Sequence, residues 1–188
     1  MLSSRMIGMA SSRSVERKPR STLWDIIYVA VLAEIILWLD LASKALVRSQ
    51  LSAGEAVDYH VGEQGFVYLT HLPNSGVSLG FFRNANMAIT YLGIAAAVLI
   101  LIYDLTRNRR IDLGRFGLAL LLGGILGNLI DRIALGYVTD IFMFFGLPVF
   151  NIADVCIAIG TMYLIVNLLI KGSKPEGRYD HRNLTTPQ

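Results

Sequence analysis

Residues 123–155 read GGILGNLIDRIALGYVTDIFMFFGLPVFNIADV. Three carboxylates, Asp131, Asp140 and Asp154, stand between two strongly apolar runs. Asn128 and Asn151 each precede an aspartate by three residues. A carboxylate at membrane depth costs roughly 3 kcal/mol on insertion scales, so such a group usually marks function. Whether the flanking runs cross a membrane decides the fold.

The 188-residue chain is 54% hydrophobic and only 16% charged, with a mean hydropathy of +0.52. Crossing the hydrocarbon core takes about 20 apolar residues of helix. Four segments qualify, at about 24–47, 86–104, 116–135 and 152–170. The predicted fold class is therefore an all-α polytopic membrane protein, with four transmembrane helices in one domain over 23–171. A disordered cytoplasmic tail is expected over 1–22 and a cytoplasmic C-terminal tail over 172–188. The first apolar run is too long for a cleavable signal and no small-x-small site follows it, so it reads as a retained span. Cys156, the single cysteine, lies in the fourth run and reads as a packing residue.

Lysine and arginine set the expected orientation. Arg5, Arg13, Arg17, Lys18 and Arg20 precede the first span. Arg107, Arg109, Arg110 and Arg115 fall between spans two and three, and Lys171, Lys174, Arg178 and Arg182 follow the fourth. Only Lys44, Arg48, Arg83 and Arg132 lie at or near the opposite face. Both termini are thus expected in the cytoplasm, and the net charge of +3 needs no nucleic-acid partner to explain it.

In span one, Asp40 and Lys44 are spaced i,i+4, share a helix face and can pair. Glu34 lies deeper, off that face, where a buried hydrogen bond or a neutral acid is expected. Residues 49–85 form the larger outer loop. Its GFVYLTHL stretch favours strands, and PNSG supplies turn residues, so a small β-containing lobe is expected on the outer (periplasmic) side. Such a sheet would offer edges to an extended peptide. Span two is expected to serve packing. In span three, Gly123-x-x-x-Gly127 predicts close helix approach. Asn128, Asp131 and Arg132 follow at i, i+3 and i+4, and an Asp131–Arg132 pair fixing the helix end is expected. The loop 136–150 carries Asp140 and an apolar-aromatic stretch expected to dip into the interface or pack on the bundle. Asp154 sits about one turn inside span four.

Antiparallel spans joined by so short a loop can bring Asp140 and Asp154 together. Two carboxylates about 3–5 Å apart share a proton, which raises one pKa. The ionised partner can take a proton from water and the protonated one can donate to a peptide carbonyl, which is general acid–base hydrolysis. Zinc chemistry lacks an HExxH, and His60, His71 and His181 are scattered. No glycine-rich phosphate loop is present, so no cofactor or metal is expected. A proton-coupled carrier would also use intramembrane acids, but these cluster near one face and no inverted repeat is visible. A helix-packing scaffold would have no use for the acids, and the Gly-x-Gly-Asp of another intramembrane aspartic class is missing.

Four blocks, in order, make the chain resemble the bacterial lipoprotein signal peptidase (signal peptidase II) family. They are Asp40-Leu-Ala-Ser-Lys44, Asn74-Ser-Gly76-Val-Ser-Leu-Gly80, Gly123 to Arg132 with Val138-Thr-Asp140, and Phe150-Asn151-Ile-Ala-Asp154. The resemblance covers about residues 24–171. It implies a catalytic pair at Asp140 and Asp154, with Asn128, Asp131 and Arg132 in support. It further implies that Asn74, Gly76, Asn151 and Ala153 line the site and that Asp40 and Lys44 form a structural or substrate-positioning pair. The implied partners are lipid-modified prolipoprotein substrates, membrane lipids and globomycin-type inhibitors, with no nucleic acid. The implied location is the bacterial cytoplasmic (inner) membrane, and a monomer is expected because one four-helix bundle can satisfy its polar groups internally. Departures from the family pattern include Leu79 where Phe is usual, Pro73 where Arg is frequent, and no further acid soon after Asp140.

Overall fold

The computed structural model describes residues 23–59, 67–76, 85–106, 113–144 and 147–172. In chain order the elements are α1 (Leu23–Gln50), β1 (Ala56–Tyr59), β2 (Val67–Asn74), α2 (Ala85–Thr106), α3 (Leu113–Leu135), β3 (Val138–Phe144) and α4 (Ile152–Gly172). The expected spans fall inside the four helices, each long and apolar enough to cross a membrane. The proposed tail 1–22, residues 173–188 of the proposed C-terminal tail, and the stretch Val77–Gly80 of the second block lie outside the described residues, and Gly172 ends α4 instead of opening the tail.

Helix α3 is central. It packs against α1, α2 and α4, and over half of its apolar stretch is buried, against a quarter or less for the others. The outward faces are strongly apolar, with Trp24 75%, Leu92 69% and Leu168 68% exposed. In water such a surface would drive association. In a bilayer it meets a solvent of its own polarity, while each helix satisfies its backbone internally. The chain is a multi-pass membrane protein.

Small residues bring the helices into contact. A Cβ on Gly123 would lie 2.7 Å from the Ala33 carbonyl oxygen of α1, and one on Gly124 would lie 2.6 Å from the Ala153 carbonyl oxygen of α4. A Cβ on Gly127 would run into the Asp40 carboxylate. The expected close approach is therefore real, and it serves two neighbours at once. It brings Asp40 and the start of α4 to the same end of α3.

The expected lobe is an antiparallel sheet in the order β1-β2-β3. The VYLTHL stretch forms β2, as its β-branched and aromatic residues favour. The Asp140 stretch departs from expectation. It is not a loop but strand β3, paired with β2 from Val67↔Phe144 to Asn74↔Val138, and of the two expected placements it takes the second, packing on the bundle against α1 and α3. The segment's Thr139 and Ile141 are buried, and their N–H groups go to the Asp131 carboxylate and the Phe150 carbonyl while the ladder to β2 serves the opposite edge. One extra residue on β2 between Leu69 and Leu72 sets Leu72 opposite Asp140. Asn74 and Asp140 then lie diagonally on one face of the ladder. Strand β1 covers only Val67–Thr70 of β2, so Pro73, which has no N–H to give, costs no bond on that side.

Phe150 closes the connection to α4. Its backbone exchanges bonds with Phe142 at 2.8 and 3.0 Å, and its ring stacks on Phe144 with centroids 5.5 Å apart. This fold-back holds Asn151 and Asp154 beside β3.

Two expectations fail on charge. Arg115, read as a loop cation, is fully buried in α3, with Nε 2.9 Å from Asp104 and Nη1 3.3 Å from Asp25. It ties α1, α2 and α3 together at the end of the bundle away from the sheet. Glu34, expected to be buried, is exposed on the outward face of α1 beside Trp38, because the inward face there is taken by Ala33 and Ile36.

Candidate active site

The sheet end of the bundle gathers polar groups from α1, β2, α3, β3 and α4. Asp140 is buried on β3 and Asp154 is half-buried in the first turn of α4. No hydrogen bond joins the two carboxylates among the described residues. Asparagines link them instead. Asn151 donates Nδ2–H to Asp140 Oδ1 at 3.0 Å, and its backbone N–H reaches Asp154 Oδ2 at 3.2 Å. Asn128 donates Nδ2–H to Asp154 Oδ1 at 2.8 Å, and Asn74 donates Nδ2–H to Asp140 Oδ2 at 2.8 Å.

Each asparagine is held the right way round by its other end. Asn74 Oδ1 accepts the N–H of Gly76 at 2.8 Å. Gly76 adopts φ 88°, a left-handed conformation that favours glycine. Asn151 Oδ1 accepts the N–H of Asp154 at 3.0 Å, and Asn128 Oδ1 accepts from Lys44 Nζ at 3.0 Å. All three amides therefore turn their N–H groups toward the carboxylates.

Beneath them lies an ion network. Lys44 Nζ is 2.6 Å from Asp40 Oδ2 and 3.5 Å from Asp131 Oδ2, so the expected i,i+4 pair forms. Asp131 does not pair with Arg132. Among the described residues its partners are Lys44, Arg48 at 3.2 Å and the Thr139 N–H at 2.9 Å. The reason is direction: Asp131 is buried toward α1, whereas half-buried Arg132 lines a cleft with Asp154 and donates to the Asn128 carbonyl at 3.4 Å. Ala153, fully buried, gives its N–H to Asp40 Oδ1 at 2.9 Å.

Two residues join the site that the sequence reading did not assign to it. Arg48 binds both Asp131 and the Thr139 hydroxyl, the latter at 2.8 Å. The series Asp40, Lys44, Arg48 at i, i+4 and i+8 placed it on the same face. Thr139 is fully buried and precedes Asp140, yet nothing in its residue type signalled this.

Burial pushes the Asp140 carboxyl up to about 6, opposed by the Asn74 hydrogen bond and reinforced by the Asp154 charge. Asn151 and Lys44 pull it back down. Neither Asp140 nor Asp154 has a cation at ion-pair distance among the described residues. Two clefts flank the pair. One of about 290 Å³ adjoins Asp140 and is lined by Leu72, Pro73, Asn74 and Pro148. The other, about 330 Å³, adjoins Asp154 and Arg132 and runs between apolar residues of α2, α3 and α4, among them Leu92, Ala96 and Ile157. One carboxylate that tends to keep a proton, beside one held by donors, is the equipment of general acid–base hydrolysis.

The fold, four membrane-spanning helices with a small antiparallel sheet, is shared with a solved bacterial membrane enzyme. The match has a TM-score of 0.73 at 20% identity, over 86% of this chain and 98% of the other. A family model described as signal peptidase (SPase) II matches residues 32–170, and the chain belongs to that family of peptidases. Relatives named lipoprotein signal peptidase include one from Moorella thermoacetica, 37% identical over 79% of this chain and 96% of its own length. Another, from Fusobacterium nucleatum, is 38% identical over 70% of this chain and 80% of its own length.

Proposed function

We propose that this protein is an aspartic endopeptidase that removes the signal peptide from diacylglyceryl-modified prolipoproteins, cutting just before the lipid-bearing cysteine. The observation that carries the reading is the pair Asp140 and Asp154, held among the described residues by amide donors at the mouth of an apolar cleft in a membrane bundle. The relatives' name, lipoprotein signal peptidase, supports the substrate class.

In this reading the apolar signal segment and the acyl chains enter from the bilayer along the α2–α3–α4 cleft. The scissile peptide then lies between the carboxylates. Asp154, ionised and accepting two N–H donors, takes a proton from the attacking water. Asp140, whose carboxyl burial has raised, gives its proton to the carbonyl oxygen. The tetrahedral diol collapses as Asp154 returns its proton to the leaving nitrogen and Asp140 recovers one from the diol hydroxyl. No acyl-enzyme forms, and no metal or cofactor enters any step.

The remaining assignments follow from charge and topology. The site end faces outward from the cytoplasmic membrane of a bacterium, and both termini lie in the cytoplasm, on the side of the basic segments. The protein acts as a monomer, and globomycin-type cyclic peptides occupy the same clefts. The test is cleavage of lipidated and unlipidated forms of one precursor in detergent or liposomes. Only the lipidated form is expected to be cut, and the new N-terminus is expected to be the modified cysteine. Equal turnover of the unlipidated form would overturn the substrate assignment.

A further inference from the structure

Lys44 is fully buried at the sheet end of the bundle. An ammonium carries three donors and no acceptor. Three acceptors surround it, on Asp40 at 2.6 Å, Asn128 at 3.0 Å and Asp131 at 3.5 Å. Each leads to one of the paired carboxylates. Asp40 binds the N–H of Ala153, the residue before Asp154. Asp131 binds the N–H of Thr139, the residue before Asp140. Asn128 donates to Asp154 itself.

The Asn128 arm decides an orientation. An amide can present either its oxygen or its NH₂ to a neighbour. Oxygen facing Asp154 would repel an ionised carboxylate, whereas NH₂ stabilises it. Because Lys44 can only donate, it holds Oδ1 on its own side, with help from Asn151 Nδ2 at 3.2 Å. The NH₂ group is then committed to Asp154. Lys44 makes no hydrogen bond or ion pair to Asp140 or Asp154 among the described residues; apart from its charge, felt at Asp140, it reaches the pair through others.

We infer that Lys44 is a positioning residue for the cleavage step, committing the Asn128 amide to Asp154 and setting the backbone just before each carboxylate through Asp40 and Asp131. This rests on Asp140 and Asp154 being the reacting pair. A lysine that merely neutralised Asp40 would support folding and leave the chemistry of a folded enzyme unchanged.

The test uses the full chain in detergent with a lipidated precursor and compares Lys44→Met, Asn128→Leu, the double variant and Asn128→Asp. Lys44→Met and Asn128→Leu are each expected to lower kcat by about 10²-fold, the scale of a misplaced reacting group. Their KM stays near the wild-type value, and both displace the acid limb of the kcat–pH profile in the same direction. If one residue acts through the other, the double variant falls within about threefold of the worse single variant, because the effects are not independent. Losses that multiply to about 10⁴-fold would overturn the relay. So would a Lys44→Met enzyme that loses Tm but keeps kcat. Should Lys44→Met fail to fold, Asn128→Asp decides alone, since it keeps an acceptor for Lys44 and removes the donor to Asp154. Unchanged kcat in that variant sinks the inference. Asp154→Asn separates the two levels. Activity in Asp154→Asn would refute the reacting pair itself, whereas an inactive Asp154→Asn beside a fully active Lys44→Met refutes only the positioning role.

Discussion

The bundle buries charge at both ends, in two different ways. At the end away from the sheet, Arg115 sits between Asp25 and Asp104, each acid within 3.3 Å of the guanidinium. At the sheet end, Lys44 and Arg48 attend Asp40 and Asp131, while among the described residues the hydrogen bonds to Asp140 and Asp154 come from amides. Both clusters bear the desolvation cost of buried ions. Only the second, among the described residues, has carboxylates with no cation at ion-pair distance, beside clefts, with a raised proton affinity on one of them. A buried acid paired to a cation joins helices. A buried acid held by amides keeps its proton chemistry available, because an amide orients a carboxylate without fixing its charge.

The sharpest way to break this contrast is to remove one carboxylate at a time. Asp140→Asn and Asp154→Asn are each expected to lower kcat by roughly 10⁴-fold or more, as for members of a unit that works together. Both variants should still fold and unfold cooperatively, since an amide of equal size replaces each acid. A folded Asp140→Asn or Asp154→Asn enzyme with near-normal turnover would erase the distinction between the ends. The converse holds at the other cluster. Arg115→Met strands two buried acids and should cost about 3–5 kcal/mol of stability, the penalty for breaking a buried ionic group. The fraction that remains folded should cleave at the wild-type rate. A selective loss of kcat there would mean that the far cluster also serves the reaction.

The four spans were legible because length and apolarity alone decide a membrane helix. Gly123 and Gly127 likewise announced close packing. Strand β3 was hidden. VTDIFMF carries a central acid, and its partner strand lies more than sixty residues earlier, so local pattern could not separate a strand from an interfacial loop. Arg132 misled for a related reason. Adjacency to Asp131 suggested a pair, but neighbouring residues on a helix point about 100° apart, and Asp131 turns to Lys44 and Arg48 on α1. The site's residue types were readable in order along the chain. Its amide orientations were not, because each depends on a donor brought from elsewhere by folding, as Gly76, Lys44 and the Asp154 backbone are.

Smaller changes sharpen the comparison within the site. Asn74→Leu removes a donor that stabilises the ionised form of Asp140, so the carboxyl should rise above its value of about 6. The limb of the pH–rate profile that belongs to Asp140 should move to higher pH. Turnover should fall about tenfold, the worth of one hydrogen bond to a charged group. No movement of the profile would mean that the Asn74 contact does not act on Asp140.

The last effect is on stability. Asp140 titrates near 6 in the folded protein, against about 3.9 for an unperturbed aspartate in the unfolded chain. The folded state therefore binds this proton more tightly. Its contribution is fully present below about pH 4 and is lost as pH rises through about 6, where ionisation of a buried group begins to oppose folding. Asp140→Asn cannot ionise and should escape that loss. Relative to wild type it should gain about 1–3 kcal/mol between pH 4 and pH 8, measured by unfolding in detergent. In an Asp154→Asn background the gain should shrink, since one source of the raised proton affinity, the neighbouring charge, is gone. An Asp140→Asn enzyme whose stability follows pH as wild type does would mean that burial does not hold the Asp140 proton.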